Sequence, residues 1–192
     1  MKPSSRSTVL ALSGSLRAAS YNTALLHAAV KHTGGATDFD IYDRLGRLPM
    51  FDQDLDNEDA PREVAELRRR VAAADGLLIV TPEHNASIPA ALKNSIDWIS
   101  TPPAGGILPG KPTAIAGASP GPFGSARGQL ALRQILTSIG ADVLAKPEVA
   151  VFRCHERLDE GGNVTDPTTL SLLTDLTDAL AARIAAGRVA SA

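Results

Sequence analysis

One pattern constrains this chain more than any other. A short apolar run, a polar loop and a helical stripe recur in that order along its whole length. Val9-Leu10-Ala11-Leu12 precedes the helical pattern Thr23-Ala24-Leu25-Leu26-His27-Ala28-Ala29-Val30, and Thr33-Gly34-Gly35 is a stop signal after it. Asp38-Phe39-Asp40-Ile41-Tyr42 alternates as a strand with one wetter face. A helix follows Pro61, with Val64, Leu67 and Val71 on one side. Gly76-Leu77-Leu78-Ile79-Val80-Thr81 is continuously apolar, the mark of a central strand covered on both faces. Ile88, Leu92, Ile96 and Ile99 then form a stripe, and residues 102–106 form a loop. Residues 111–119 read as the fourth strand, followed by a stripe of Leu132, Ile135, Leu136 and Ile139. A last strand lies between Ala141 and Phe152 with a bend at Pro147. Gly161-Gly162 marks a turn, and Leu173, Leu176, Leu180 and Ile184 stripe the final helix. Strictly alternating strands and helices imply an α/β three-layer sandwich, a parallel sheet with helices on both faces. Five strands predict the order 2-1-3-4-5. The 192 residues suit one domain, with residues 1–6 a flexible start.

That order places the loops after the first and third strands side by side at the carboxyl edge of the sheet, where ligands bind such folds. These are also the loops richest in polar chemistry. The first is Ser13-Gly14-Ser15-Leu16-Arg17-Ala18-Ala19-Ser20-Tyr21-Asn22, between a strand end and a helix start. A helix start presents free N–H groups and a positive dipole end, which attract an anion. Ser13, Ser15, Ser20 and Asn22 add neutral donors, and Arg17 adds a guanidinium able to make paired bonds to phosphate. The spacing is not G-x-G-x-x-G, and the lysine of a nucleoside-triphosphate loop is missing. A cradle of hydroxyls and one arginine suits a terminal monophosphate, and flavin mononucleotide (FMN) is the obvious candidate. The competing reading is a well-capped helix start, since Ser20 or Asn22 is a good N-cap by itself. Agreement between topology and residue type favours the cradle, to which Leu16 and Tyr21 also belong. The second loop, Pro82-Glu83-His84-Asn85-Ala86-Ser87-Ile88-Pro89, would run along the edge of a flavin ring. Its backbone N–H groups would serve the ring, its prolines would stiffen it, and Ser119 and Gly121 would reach the ring's far end.

Charge and composition exclude other classes. A net charge of −2 leaves no basic footprint for nucleic acid. No apolar run approaches the roughly 20 residues of a membrane helix. Residues 1–7 lack the apolar core of a signal peptide, and the single cysteine, Cys154, fits a reducing cytosol, so a cytoplasmic location is expected. Cys154 reads as structural, on the opposite strand face from His155. His27, His32 and His155 have no metal-ligand spacing, so no metal is expected. Glu83 reads as a turn cap or a tie to a neighbouring subunit in preference to an acid. His84 reads as a packing residue, with proton delivery to a reduced quinone as the alternative. No side chain is nominated as catalytic, because in flavin chemistry the cofactor reacts and the protein orients it.

Residues 44–61 form a long irregular stretch with an apolar centre, Leu48-Pro49-Met50-Phe51, beside Asp52, Asp54, Asp56, Glu58 and Asp59. It is either functional, as an interface, or a solvated acidic loop that caps the next helix. Trp98 sits beside the stripe of its helix, so it either shields that flank or meets another chain. Apolar residues rimmed by charge favour an oligomer in which a neighbour completes each site.

The two loops also carry a resemblance. Residues 13–22 resemble the phosphate loop of the NAD(P)H-dependent FMN reductases. Thr81-Pro82-Glu83-His84-Asn85-Ala86-Ser87-Ile88-Pro89, continuing through Leu92-Lys93-Asn94-Ser95-Ile96-Asp97-Trp98, resembles that family's ring-binding signature. The likeness runs from about Thr8 into the last helix, and is strongest to the bacterial quinone and chromate reductases. It implies a flavodoxin-like fold, tightly bound FMN, NADPH or NADH as donor, a small-molecule electron acceptor, and a homodimer or homotetramer. Histidine stands at position 84 where the family usually has tyrosine, which bears on the substrate side of the site. The expected activity is reduction of FMN by NAD(P)H, followed by two-electron transfer to quinones, free flavin or similar acceptors in ping-pong order. The rival is a flavodoxin-type electron carrier, against which the weak negative charge weighs.

Overall fold

The computed structural model describes residues 6–190 apart from 34, 36, 58 and 102–105. Gly34 of the first stop signal, Glu58 of the acidic run, residues 102–105 of the loop and residues 1–5 of the expected flexible start therefore lie outside the described residues. Arg6, by contrast, pairs with Asp38 at 3.1 Å.

The elements are β1 (Ser7–Ser13), α1 (Tyr21–His32), β2 (Thr37–Tyr42), α2 (Arg62–Ala73), β3 (Gly76–Val80), α3 (Ala90–Ser100), β4 (Pro112–Ala118), α4 (Ala126–Ser138), β5 (Asp142–Val143), β6 (Val149–Val151) and α5 (Pro167–Ala190). The sheet is parallel in the order β2-β1-β3-β4-β5, with β6 also paired to β4. The alternation of side chains along β1 sorts the core into two layers. Leu10 and Leu12 face the layer built with Val64, Leu67, Leu92, Ile96, Leu132 and Leu136. Val9 and Ala11 face the layer built with Leu25, Leu26, Leu173, Leu176, Leu180 and Ile184. Every residue of β3 is buried, as its unbroken apolar run requires.

The expected fifth strand is two short pieces. β5 pairs with Pro112 and Thr113 at the start of β4, and β6 pairs with Ala116, Gly117 and Ala118 at its end. Pro147 lies between them, and a residue without an N–H cannot continue a ladder.

The described residues of the 44–61 stretch carry more local structure than their composition predicts. They contain two 3-10 turns, Leu45–Arg47 and Gln53–Leu55, and fold back on α3. Trp98 is fully buried within its own chain, so it shields the stripe and does not meet another chain. Its Nε1 donates to the Pro49 carbonyl at 2.8 Å, and the Phe51 ring meets its edge at 5.0 Å. Asn94 closes the same contact, donating to the Pro49 carbonyl at 2.8 Å and accepting the Phe51 N–H at 2.7 Å. Two of the acidic residues have local partners: Asp52 accepts the Asp54 N–H, and Asp56 pairs with Arg68. The stretch ends at Pro61, which gives α2 no side-chain cap.

Cys154 is buried in a 3-10 turn (Cys154–Glu156), not in a strand, and burial pushes its thiol up to about 11. His155 is exposed beside Glu156, so the turn separates the two side chains. Among the described residues no helix is long and apolar enough to cross a membrane, and no cluster of His, Cys, Asp or Glu could hold a metal ion.

Candidate functional site

A cleft of about 530 Å³ opens at the carboxyl edge of the sheet, between the exits of β1, β3 and β4. Its floor begins at Gly14, whose N–H donates to the Val80 carbonyl at 2.8 Å and so ties the first loop to β3. A Cβ on Gly14 would lie 3.0 Å from both Leu92 Cδ2 and Thr81 Oγ1, so glycine lets the loop approach α3 closely.

Serines shape the loop. The Ser15 N–H donates to Ser13 Oγ and the Arg17 N–H to Ser15 Oγ, each at 3.3 Å. Ser20 is the N-cap of α1, its Oγ accepting from the N–H groups of Asn22 and Thr23 at 3.2 Å. The cap reading is therefore literally true of Ser20. Asn22 is only 4% exposed, and its amide is also committed. Nδ2 donates to the Ala118 carbonyl at 3.0 Å and Oδ1 accepts the Ala118 N–H at 2.8 Å, pinning the start of α1 to the end of β4. Both residues line the cleft while their side chains hold its walls. What remains for a ligand is the Ser15 hydroxyl, the Arg17 guanidinium, and the backbone N–H groups of Leu16, Ala18, Ala19, Ser20 and Tyr21, which have no acceptor among the described residues. Arg17 is exposed, bonded through Nε to the Ala19 carbonyl at 2.8 Å and stacked 5.0 Å over the Tyr21 ring. Ser13, whose hydroxyl also accepts from Thr23 Oγ1 at 3.0 Å, faces a neighbouring cleft instead.

The second loop is a tight hairpin. His84 and Ser87 exchange two backbone bonds of 2.9 Å, and Asn85 and Ala86 between them have φ of 50° and 61°. Two consecutive left-handed residues form a type I′ turn, natural for Asn and costing Ala86 about 1 kcal/mol. The turn divides the loop. Pro82, Glu83 and His84 line the cleft, whereas Asn85 and Ser87 line a separate depression with Lys93 and Ile135. The Glu83 carboxylate turns to α4: it accepts the Arg127 and Gly128 N–H groups at 3.0 and 3.2 Å and pairs with the Arg127 guanidinium. It caps a helix of its own chain, where Ser125, the formal N-cap, makes no side-chain capping bond. Partial burial works to raise the Glu83 pKa, but these hydrogen bonds outweigh it and hold the carboxyl below its ordinary value. Glu83 is the one carboxylate lining the cleft among the described residues, and Arg127 neutralises it.

From the third exit, Ser119 lines the cleft, and its Oγ accepts the Gly121 N–H at 3.1 Å; Gly121 itself stays outside the lining. Sequence reasoning gave Pro89 only as a stiffener of the second loop, and missed Ala90 and Ala91 at the start of α3, and also Ala118 and Pro120. The N-cap of α3 is Pro89, without a side-chain cap bond, so a second helix start faces the cleft with its dipole uncompensated. The signal was Pro89 followed by two alanines, a proline-led helix start with small side chains. The arrangement can hold an elongated ligand with an anionic end.

A family model described as NADPH-dependent FMN reductase matches residues 7–156. The chain is 38% identical to a 2-hydroxy-1,4-benzoquinone reductase of a Burkholderia species, over 92% of this chain and 95% of that protein. It is 40% identical to an NAD(P)H-dependent FMN reductase of Pseudomonas aeruginosa, over 90% of this chain and 92% of that one. Among solved structures, FerB of Paracoccus denitrificans, a flavoenzyme NAD(P)H:(acceptor) oxidoreductase, superposes with a TM-score of 0.84 at 36% identity, covering 93% of this chain and 97% of its own.

The Glu83 cap predicts a pH signature. Replacing Glu83 with Ala should cost about 1–2 kcal/mol at pH 7, the usual worth of a helix cap. Because the folded carboxyl lies below its ordinary 4.5, its stabilisation is complete above that pH and lost as pH falls through the folded value. Urea melts of both proteins should converge in strong acid, and a gap independent of pH would count against the cap.

Proposed function

The chain belongs to the NADPH-dependent FMN reductase family, and on that premise we propose that it is a single-domain, FMN-dependent NAD(P)H oxidoreductase passing two electrons to quinones, free flavin or similar acceptors. The observation that supports this best is the donor set of the cleft. A loop of unpaired N–H groups, a serine, an arginine and an uncapped helix start surround a space whose lining carboxylate is already neutralised. This fits a terminal phosphate and the flat group attached to it.

The backbone of residues 16–21, with Ser15 and Arg17, would hold the phosphate. The backbone of residues 82–84 would border the ring, with Ser119 opposite. When bound, FMN supplies the hydride-accepting and two-electron-donating chemistry. The protein orients and shields. No cleft side chain is placed as an acid or base, because the Glu83 carboxylate is committed to Arg127 and α4. His84 is exposed at the rim, where it would meet the acceptor. The buried thiol of Cys154 fits a cytoplasmic enzyme. We also infer a homodimer or homotetramer, supported by exposed Leu16 (61%), Met50 (74%) and Phe123 (58%).

Anaerobic addition of NADPH to the FMN-loaded protein should bleach the flavin, and steady-state double-reciprocal plots should be parallel, as ping-pong turnover requires. A flavin that stays oxidised would leave an electron carrier as the better description. Arg17→Ala should weaken FMN binding by about 1.5–3 kcal/mol, the worth of a charge-assisted hydrogen bond; unchanged affinity by fluorescence titration would remove Arg17 from the anchor. Light scattering over a dilution series should give two or four times the 20.0 kDa chain mass. An active monomer at micromolar concentration would defeat the oligomer.

A further inference from the structure

A second cleft, of about 540 Å³, lies on the other side of the first loop. Ser15, Leu16 and Arg17 form a wall common to both clefts. Beyond that wall the second cleft is lined by His27, Asp43 and Arg47, over an apolar base that includes Leu26, Ile41 and Leu45. We propose that this cleft binds the adenosine end of the dinucleotide donor, and that Arg47 takes the 2′-phosphate that distinguishes NADPH from NADH. The inference rests on the reading that the chain turns over NAD(P)H.

The argument begins with shape. A dinucleotide whose nicotinamide reaches the first cleft must rest its other end outside it, and a ligand crossing the wall enters the second cleft directly. The two sides are packed together: a Cβ on Gly46 would lie 3.3 Å from Leu16 Cδ2, so the turn carrying Arg47 sits against the first loop. Backbone bonds of 2.9 and 3.3 Å, from Arg47 N–H to the Arg44 carbonyl and from Leu48 N–H to the Leu45 carbonyl, hold that turn. An anion placed there would therefore meet an arginine carried on a fixed turn.

Charge then selects the ligand. Arg47 is exposed and has no carboxylate partner among the described residues, whereas its neighbour Arg44 is held by Glu66 at 2.9 Å. Asp43 is the opposing carboxylate of the cleft, and Arg44 Nε stands 3.9 Å from it. A third cleft, on the far flank of α1, also reaches Arg17 and His27 but is lined by Asp159 and Glu160, which would repel a phosphate dianion. Of these two clefts, the balance favours an anion in the second. The apolar base offers a surface for an adenine, and a guanidinium suits a phosphate through paired bonds.

The test uses FMN-saturated protein, so that the first cleft is filled, and two probes without a nicotinamide, 2′,5′-ADP and 5′-AMP, titrated by calorimetry while flavin absorbance is followed. The wild type should bind 2′,5′-ADP about tenfold more tightly than 5′-AMP, the worth of one charge-assisted contact. Arg47→Ala should lose that preference and Arg47→Lys should keep most of it. In turnover, Arg47→Ala should raise the KM for NADPH about tenfold more than that for NADH. Equal binding of the two probes, a preference surviving in Arg47→Ala, or release of FMN by 2′,5′-ADP would each overturn the proposal. If NADPH bleaches the flavin while the probes show no preference, the subsite falls and the reductase stands. If neither nucleotide bleaches it, the reductase falls, and the probe titration still decides the cleft.

Discussion

The cleft depends on one buried amide. Asn22 makes two hydrogen bonds to the backbone of Ala118 and thereby fixes the first turn of α1 against the end of β4. Without it, the Ala118 N–H and carbonyl would lie buried and unpaired, at about 1–3 kcal/mol each. More follows from it than stability. With Ser20 capping α1, and Asn22 and Gly14 tying down the two ends of the loop, residues 15–19 are suspended between fixed points. Their N–H groups can then remain free for a ligand without loosening the fold.

The second loop follows the same logic with a charge. Glu83 lies on the cleft yet is committed to α4 through two backbone N–H groups and Arg127. This removes a negative charge from a site whose other features attract anions, and locks the loop that would border the flavin to a helix on the same face of the sheet. The start of α3 is left uncapped at the same cleft. Polar groups committed to the protein form the walls, and those left over form the donor set. The second cleft extends this division across the wall of residues 15–17, with Arg44 held by Glu66 and Arg47 left over.

Several elements were legible because local periodicity and burial agree. The β3 run, the α5 stripe and the Ser-rich loop after β1 each carry their own signal, and the strand order followed from strict alternation. The divided β5–β6 edge was legible only as a bend at Pro147, because where each piece pairs with β4 is a long-range matter. Trp98 was ambiguous for a similar reason. Its covering comes from Pro49 and Phe51, more than forty residues away, and helix periodicity says nothing of a loop that folds back. The hairpin at Asn85 and Ala86 turned Asn85 and Ser87 away from the cleft, since Ala carries no signal for a left-handed backbone.

Sequence by itself determined the α/β architecture, the edge of the sheet at which the cleft opens, and the two loops that meet there. These follow from hydrophobic period, turn residues and the order of strands, all local or topological properties. Tertiary structure decided which polar side chains in those loops are free. Ser20, Asn22 and Glu83 are as suited to a ligand in composition as Ser15 and Arg17, but Ser20 and Asn22 meet backbone groups that burial forbids leaving unpaired, and Glu83 meets the free N–H groups at the start of α4. A donor or acceptor serves whichever partner geometry brings within about 3 Å, and that distance is set by the packing of elements far apart in the chain.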